Sequence, residues 1–205
     1  RCPPPCRPPA SRAEARLEPR RSPLVHAAQL RHRGVPRRRT LGRVELPVVC
    51  VAFLLREGVE GPEVLLGFKR TGLGLCRLVG IGGKVEQGET LVEGAVREIH
   101  EETGLVVDGA DLTAVGVLDY LFPDEPSWSQ RSHVFVGRVW QGEPVETDEI
   151  VPAWFRVDQV PFARMWDDAK RWLPGVLDGG RVAASFTFGP DLATVVAEGP
   201  WPAAD

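Results

Sequence analysis

"GGKVEQGETLVEGAVREIHEETGL" (Gly82–Leu105) carries six glutamates, and their spacing decides how the chain is read. From Thr90 to Thr103 the apolar residues keep a helical period. Leu91, Ala95 and Ile99 recur every four residues, with Val92 and Val96 on the adjoining face. Gly104 ends the helix as a C-terminal cap. On that helix Glu98, Glu101 and Glu102 stand at i, i+3 and i+4, so three carboxylates leave one face within about 6 Å of each other. Like charges there cost about 0.2–0.5 kcal/mol per pair even when exposed, so the pattern calls for a counter-charge. A hard divalent cation, Mg2+ or Mn2+, supplies one. The bland alternative is a solvated acidic face, which is common for two glutamates and less so for three beside a glycine and an arginine. Arg97 and Glu89 are placed to bridge the preceding loop to the helix; the other reading is two unrelated surface charges. Gly82 and Gly83 permit close backbone approach, and the Gly82 carbonyl is a candidate further metal ligand. Glu86 and Glu93 read as solvated surface.

Around this helix the chain reads as strands. Residues 45–56 and 63–70 are apolar, Val- and Leu-rich runs joined by "EGVEGP", the pattern of a hairpin. Residues 76–85 read as a strand ending in glycines. Residues 112–122, 132–140 and 153–157 read as three more strands, and 181–197 as two strands around "GPD". Residues 167–177 have helical character, limited by Pro174. Strands mixed with two helices predict an α/β layered fold with a mixed sheet. No internal repeat is visible.

At this point the motif resembles a known family. Gly83, Glu89, Arg97, Glu98, Ile99, Glu101, Glu102, Gly104 and Leu105 meet every fixed position of the Nudix box, G-x5-E-x7-R-E-U-x-E-E-x-G-U, where U is bulky and apolar. The resemblance implies an α/β/α sandwich and hydrolysis of a nucleoside diphosphate linked to another group. It also implies Mg2+ bound by Glu98, Glu101 and Glu102, one of which, or a hydroxide they support, activates the attacking water.

Beyond the box, residues 47–197 are similar to the MutT-like oxidised purine nucleoside triphosphatases, which act on 8-oxo-dGTP. That resemblance implies a substrate-contacting Lys69, an additional metal or catalytic Glu149, and a phosphate side lined by Ile81, Gly82, Gly83 and Lys84. It implies that Trp166 stacks on the purine, that Asp167 or Asp168 reads its edge, and that Tyr120 packs on the base. Core packing is the competing reading of Trp166, and the better one for Trp172. Two positions depart from the pattern. Val79 stands where the family's "WNGFGGK" has a base-contacting asparagine, and aligned without a gap only Asp168 keeps an aspartate, the next position being Ala169. The expected function is pyrophosphohydrolysis of purine nucleoside triphosphates, a nucleotide-pool sanitation that prevents DNA damage. A hydrolase of ADP-ribose or dinucleoside polyphosphates is the alternative, suggested by Tyr120 lying 15 residues after Leu105. A non-enzymatic nucleotide-binding module is the third reading, disfavoured by the complete box.

Composition bounds the rest. Residues 1–43 hold twelve Arg and no Lys against Glu14 and Glu18, a net +10, which leaves −13 on residues 44–205. An acidic domain of this kind does not suit nucleic-acid binding through a basic surface. A hydrophobic content of 43% suffices for one packed core. The expected division is a Pro/Arg-rich disordered arm over 1–43 and a Nudix domain over 44–200. For the arm, a flexible basic tail, a targeting peptide and sequence foreign to the natural protein stay open; the only methionine, Met165, keeps the third reading or a truncation in play. "CPPPC" (Cys2–Cys6) has no second Cys/His pair at zinc spacing, and Cys50 lies in an apolar run as a buried thiol. With no apolar run of 18 residues, a cytoplasmic monomer without membrane or nucleic-acid partners is expected, its ligand a small nucleotide.

Overall fold

The computed structural model describes residues 45–201; the arm expected over 1–43 lies outside them. β1 (Val48–Gly58) and β2 (Gly61–Lys69) form the expected hairpin, paired from Leu55–Val64 to Gly58–Gly61. β1 is long enough to serve two neighbours. Its first half, Val48–Leu54, runs parallel to β5 (Gln130–Gly137), and only its second half pairs with β2. β3 (Leu78–Val79) and β6 (Ile150–Arg156) both pair with β2. On the other side β5 pairs with β4 (Leu112–Leu121), β4 runs parallel to β7 (Val182–Phe188), and β8 (Val195–Pro200) closes the edge. Parallel and antiparallel ladders share one sheet.

Alternation along β1 assigns its side chains to two cores. Ala52 and Leu54 join Leu65, Ile81 and Phe135 under α1 (Leu91–Thr103), which buries Ala95 and Ile99. Phe53 and Leu55 join Val64 and Leu66 under α2 (Ala169–Leu177), which buries Trp172, Leu173 and Val176. A helix on each face of a mixed sheet is the α/β/α arrangement. Among the described residues no helix is long and apolar enough to cross a membrane.

Two strands differ from the sequence expectation. The run 76–85 keeps only Leu78–Val79 as a strand, followed by isolated bridges from Ile81 to Ala52 and from Lys84 to Val49. Gly82 explains the break. Its φ is +154°, and a Cβ there would fall 2.2 Å from the Cys50 carbonyl oxygen. The chain therefore crosses the start of β1 at a distance only glycine allows. The expected strand 132–140 likewise stops at Gly137.

Candidate active site

Thr90 starts α1 with a capping box. Its hydroxyl accepts from the Glu93 N–H (3.2 Å), and the Glu93 carboxylate accepts from the Thr90 N–H (2.7 Å). Glu93, expected as plain solvated surface, is thus a helix cap. Gly104 closes the helix at φ +74°. The helix ends in this way fix where the glutamates between them point.

Arg97 is the centre of the loop side. Its Nε and Nη2 donate to the two oxygens of Glu89 (2.7 and 3.0 Å), and Nη2 also donates to the Lys84 carbonyl (2.8 Å). Its Nη1 donates to Glu98 (3.0 Å) and Glu101 (2.9 Å). The guanidinium of Arg97, helped by the Glu86 N–H, holds the Glu89 carboxyl down at about 2. The expected bridge between Glu89 and Arg97 is present, and it reaches further than one pair.

Glu102 turns the other way. It is 2% exposed, and its Oε1 accepts from Lys69 Nζ (2.7 Å) while its Oε2 accepts from the Gly82 N–H (2.9 Å). Lys69 also reaches Glu149 (3.3 Å). Burial works against the Lys69 charge, but Glu102 and Glu149 outweigh it and hold its pKa above the ordinary value. The three helix carboxylates therefore do not stand together awaiting one cation. Arg97 engages Glu98 and Glu101; Lys69 engages Glu102. Among the described residues no three His, Cys, Asp or Glu side chains are gathered tightly enough to hold an ion as they stand. The counter-charge that the spacing demands comes in part from these two cations.

The donor set nonetheless suits a hard divalent ion. Glu98 is pushed up by burial and, against the pull of Arg97, by Glu102 and Glu101, so added positive charge would relieve it. A Cβ on Gly83 would lie 2.5 Å from Glu98 Oε1, so only glycine lets that carboxylate approach the loop. The Gly83 and Ile81 carbonyls accept from the Cys50 and Ala52 N–H groups, whereas no hydrogen bond among the described residues uses the Gly82 carbonyl.

A cavity of about 510 Å3 begins here, at Lys69, Gly82, Gly83, Lys84 and Glu149. It runs past Val79 to an aromatic end formed by Tyr120, Phe122, Trp128, Trp166 and Phe188. Phe122 and Phe188 stack 4.4 Å apart. Asp168 lies at this end, 2% exposed. Its Oδ2 accepts from Trp172 Nε1 (2.8 Å), and its Oδ1 has no partner. Burial raises the Asp168 pKa against the pull of Trp172 and Tyr120, and burial with the Asp168 charge raises the Tyr120 phenol.

Two residues expected to touch substrate are placed elsewhere. Ile81 is fully buried in the core beneath α1, because alternation turns its side chain to the face opposite the cavity. Asp167 is held by Lys170 and by the Val195 N–H (3.0 Å) and does not line the cavity. Trp172 is core, as its spacing suggested, and it also holds Asp168. Phe122, Trp128 and Phe188 escaped the sequence reading. Trp128 was the findable one, since a tryptophan in "FPDEPSWSQ" serves no strand period.

The profile of the NUDIX domain matches residues 45–176, a span that contains α1, α2 up to Val176 and the whole glutamate motif. The chain belongs to the NUDIX family. This Nudix chain is 42% identical over 130 residues to the oxidized purine nucleoside triphosphate hydrolase of Mus musculus, covering 63% of this chain and 81% of that protein. The protein of the same name from Danio rerio is 40% identical over the same coverage. Among solved structures, a MutT protein from Bacillus halodurans superposes with a TM-score of 0.61 at 25% identity, over 75% of this chain and 96% of that one. Nudix hydrolases generally use a divalent metal ion.

Proposed function

We propose that the chain is a Mg2+-dependent pyrophosphohydrolase of purine nucleoside triphosphates, oxidised ones such as 8-oxo-dGTP included, giving the monophosphate and pyrophosphate. Mn2+ substitutes for Mg2+. The single cavity that joins Lys69, Gly82 and Glu149 to Trp166 and Asp168 carries this reading. Its length suits a nucleotide with phosphates at the charged end and base at the aromatic end. The similarity to hydrolases named for oxidised purine triphosphates supports the same assignment.

Glu98, Glu101, Glu102, Glu149 and the Gly82 carbonyl would hold the ion. When bound, the ion neutralises phosphate charge and lowers the pKa of water. The chain's own groups do the rest. Lys69 places an ammonium beside Glu102 and Glu149, where it can turn to a phosphate oxygen. Gly83 and Lys84 border the phosphate path. Glu101 or Glu102 accepts the proton of the attacking water. Trp166 offers a flat wall for stacking. Asp168, whose burial favours the protonated form, donates from Oδ1 to an acceptor on the base edge. Val79 adds only apolar contact, so polar reading of the base falls chiefly to Asp168.

A substrate panel tests the proposal. Purine deoxynucleoside triphosphates, oxidised and undamaged, should yield pyrophosphate with Mg2+. Preferential release of AMP from ADP-ribose or a dinucleoside polyphosphate would contradict it.

A further inference from the structure

Arg77 has no part in the machinery described above and does not line the cavity. It sits in the turn between β2 and β3, with its guanidinium carbon 4.3 Å from the centroid of the Trp166 ring. Through Nη1 the same group donates to the Met165 carbonyl (3.0 Å), so one planar fork holds both the indole and the backbone that precedes it. The Arg77 carbonyl accepts from the Lys69 N–H (2.9 Å). One residue is thus anchored to the strand that carries Lys69 and to the segment that carries Trp166. Gly74 closes the same turn, since a Cβ there would lie 3.3 Å from Trp166 Nε1. Phe122 and Phe188 meet the indole at near right angles, with centroids 6.0 and 5.6 Å away.

An arginine over an aromatic face does two things. It fixes the ring's rotamer, and it draws π-density toward itself, which favours an electron-rich partner on the ring's free surface. We propose that Arg77 is a positioning residue for the base wall: it fixes Trp166 and biases it toward purine rings. The bias rests on the purine-nucleotide reading above; the hold on Trp166 does not. The competing view is that Arg77 merely ties the turn to Met165.

Fluorine NMR of protein labelled with 5-fluorotryptophan separates these views, with Trp166→Phe assigning the line. The Trp166 line should shift and broaden in Arg77→Met and largely recover in Arg77→Lys, which keeps the cation. An unchanged line in Arg77→Met overturns the proposal. In steady-state assays with Mg2+, Arg77→Met should raise KM for purine triphosphates about tenfold, with kcat changed no more than about twofold. In a Trp166→Leu background the same substitution should change KM little. A full KM effect in that background, or none in the wild-type background, overturns it. If the wild-type protein releases no pyrophosphate from any purine triphosphate, the functional reading fails and the purine bias fails with it, while the fluorine line still decides whether Arg77 holds Trp166.

Discussion

Asp168 is buried at the aromatic end of the cavity, where Trp172 and Tyr120 bear on its carboxyl. Because burial raises its pKa, the protonated carboxyl persists to higher pH than an exposed aspartate would allow. Base binding should therefore weaken as pH rises through that raised value. Asp168→Asn, which keeps a donor at every pH, should remove this dependence from the KM profile; a profile identical to that of the wild-type protein contradicts the role. Glu89 gives the opposite sign. Its folded pKa of about 2 lies below the ordinary 4.5, so its bridge to Arg97 stabilises fully above pH 4.5 and is lost as pH falls toward 2. The Tm gap between wild type and Glu89→Gln should shrink over that window, and a gap that widens there would count against the bridge. The Glu89–Arg97 pair was legible because the motif spaces it. The link from Lys69 to Glu102 was not, since 33 residues separate partners that only the meeting of β2 with α1 brings together. Ile81 failed for a related reason: proximity in sequence to Gly82 does not say which face a side chain takes.

At the scale of elements, α1 is a rigid presenter of carboxylates, and its start is set by Thr90 and Glu93. Thr90→Ala should cost about 1 kcal/mol of stability, about 2–4 °C in Tm for a domain of this size, by the usual worth of such caps. The T-x-x-E pattern of this cap is present in the sequence, at Thr90 and Glu93, inside the stretch that also carries the metal-type glutamate spacing. The loop before α1 is the less forgiving part. Gly82→Ala adds a Cβ 2.2 Å from a backbone oxygen at φ +154° and should cost on the order of 1–3 kcal/mol or more in urea unfolding. Unchanged stability would mean that the crossing of β1 is looser than described. The hairpin, the second helix and most strands were legible from period and turns. The two-residue length of β3 was not, because the glycines that break its ladder were read as the end of a strand.

Across the whole molecule, β1 divides between β5 and β2, and alternation along it separates the core under α1 from the core under α2. The glutamates come from α1 and from just before β6, and of them Glu149 lines the cavity, whose aromatic end is built by Tyr120 of β4, Phe188 of β7 and Trp166 just before α2. Composition could not show this convergence: the acidic balance of residues 44–205 speaks only against a basic nucleic-acid surface. If Arg97 and Lys69 are only partial counter-charges, millimolar Mg2+ should raise the Tm of the nucleotide-free protein, and the rise should shrink in Glu98→Gln. The central claim is that these carboxylates serve hydrolysis of purine triphosphates to pyrophosphate. Its most direct test is the rate of pyrophosphate release from 8-oxo-dGTP with Mg2+, measured for wild type beside Glu101→Gln and Glu102→Gln. Robust release by the wild type and a loss of several orders of magnitude in the variants is the predicted result; no release by the wild type, or near-normal turnover in both variants, would contradict the account.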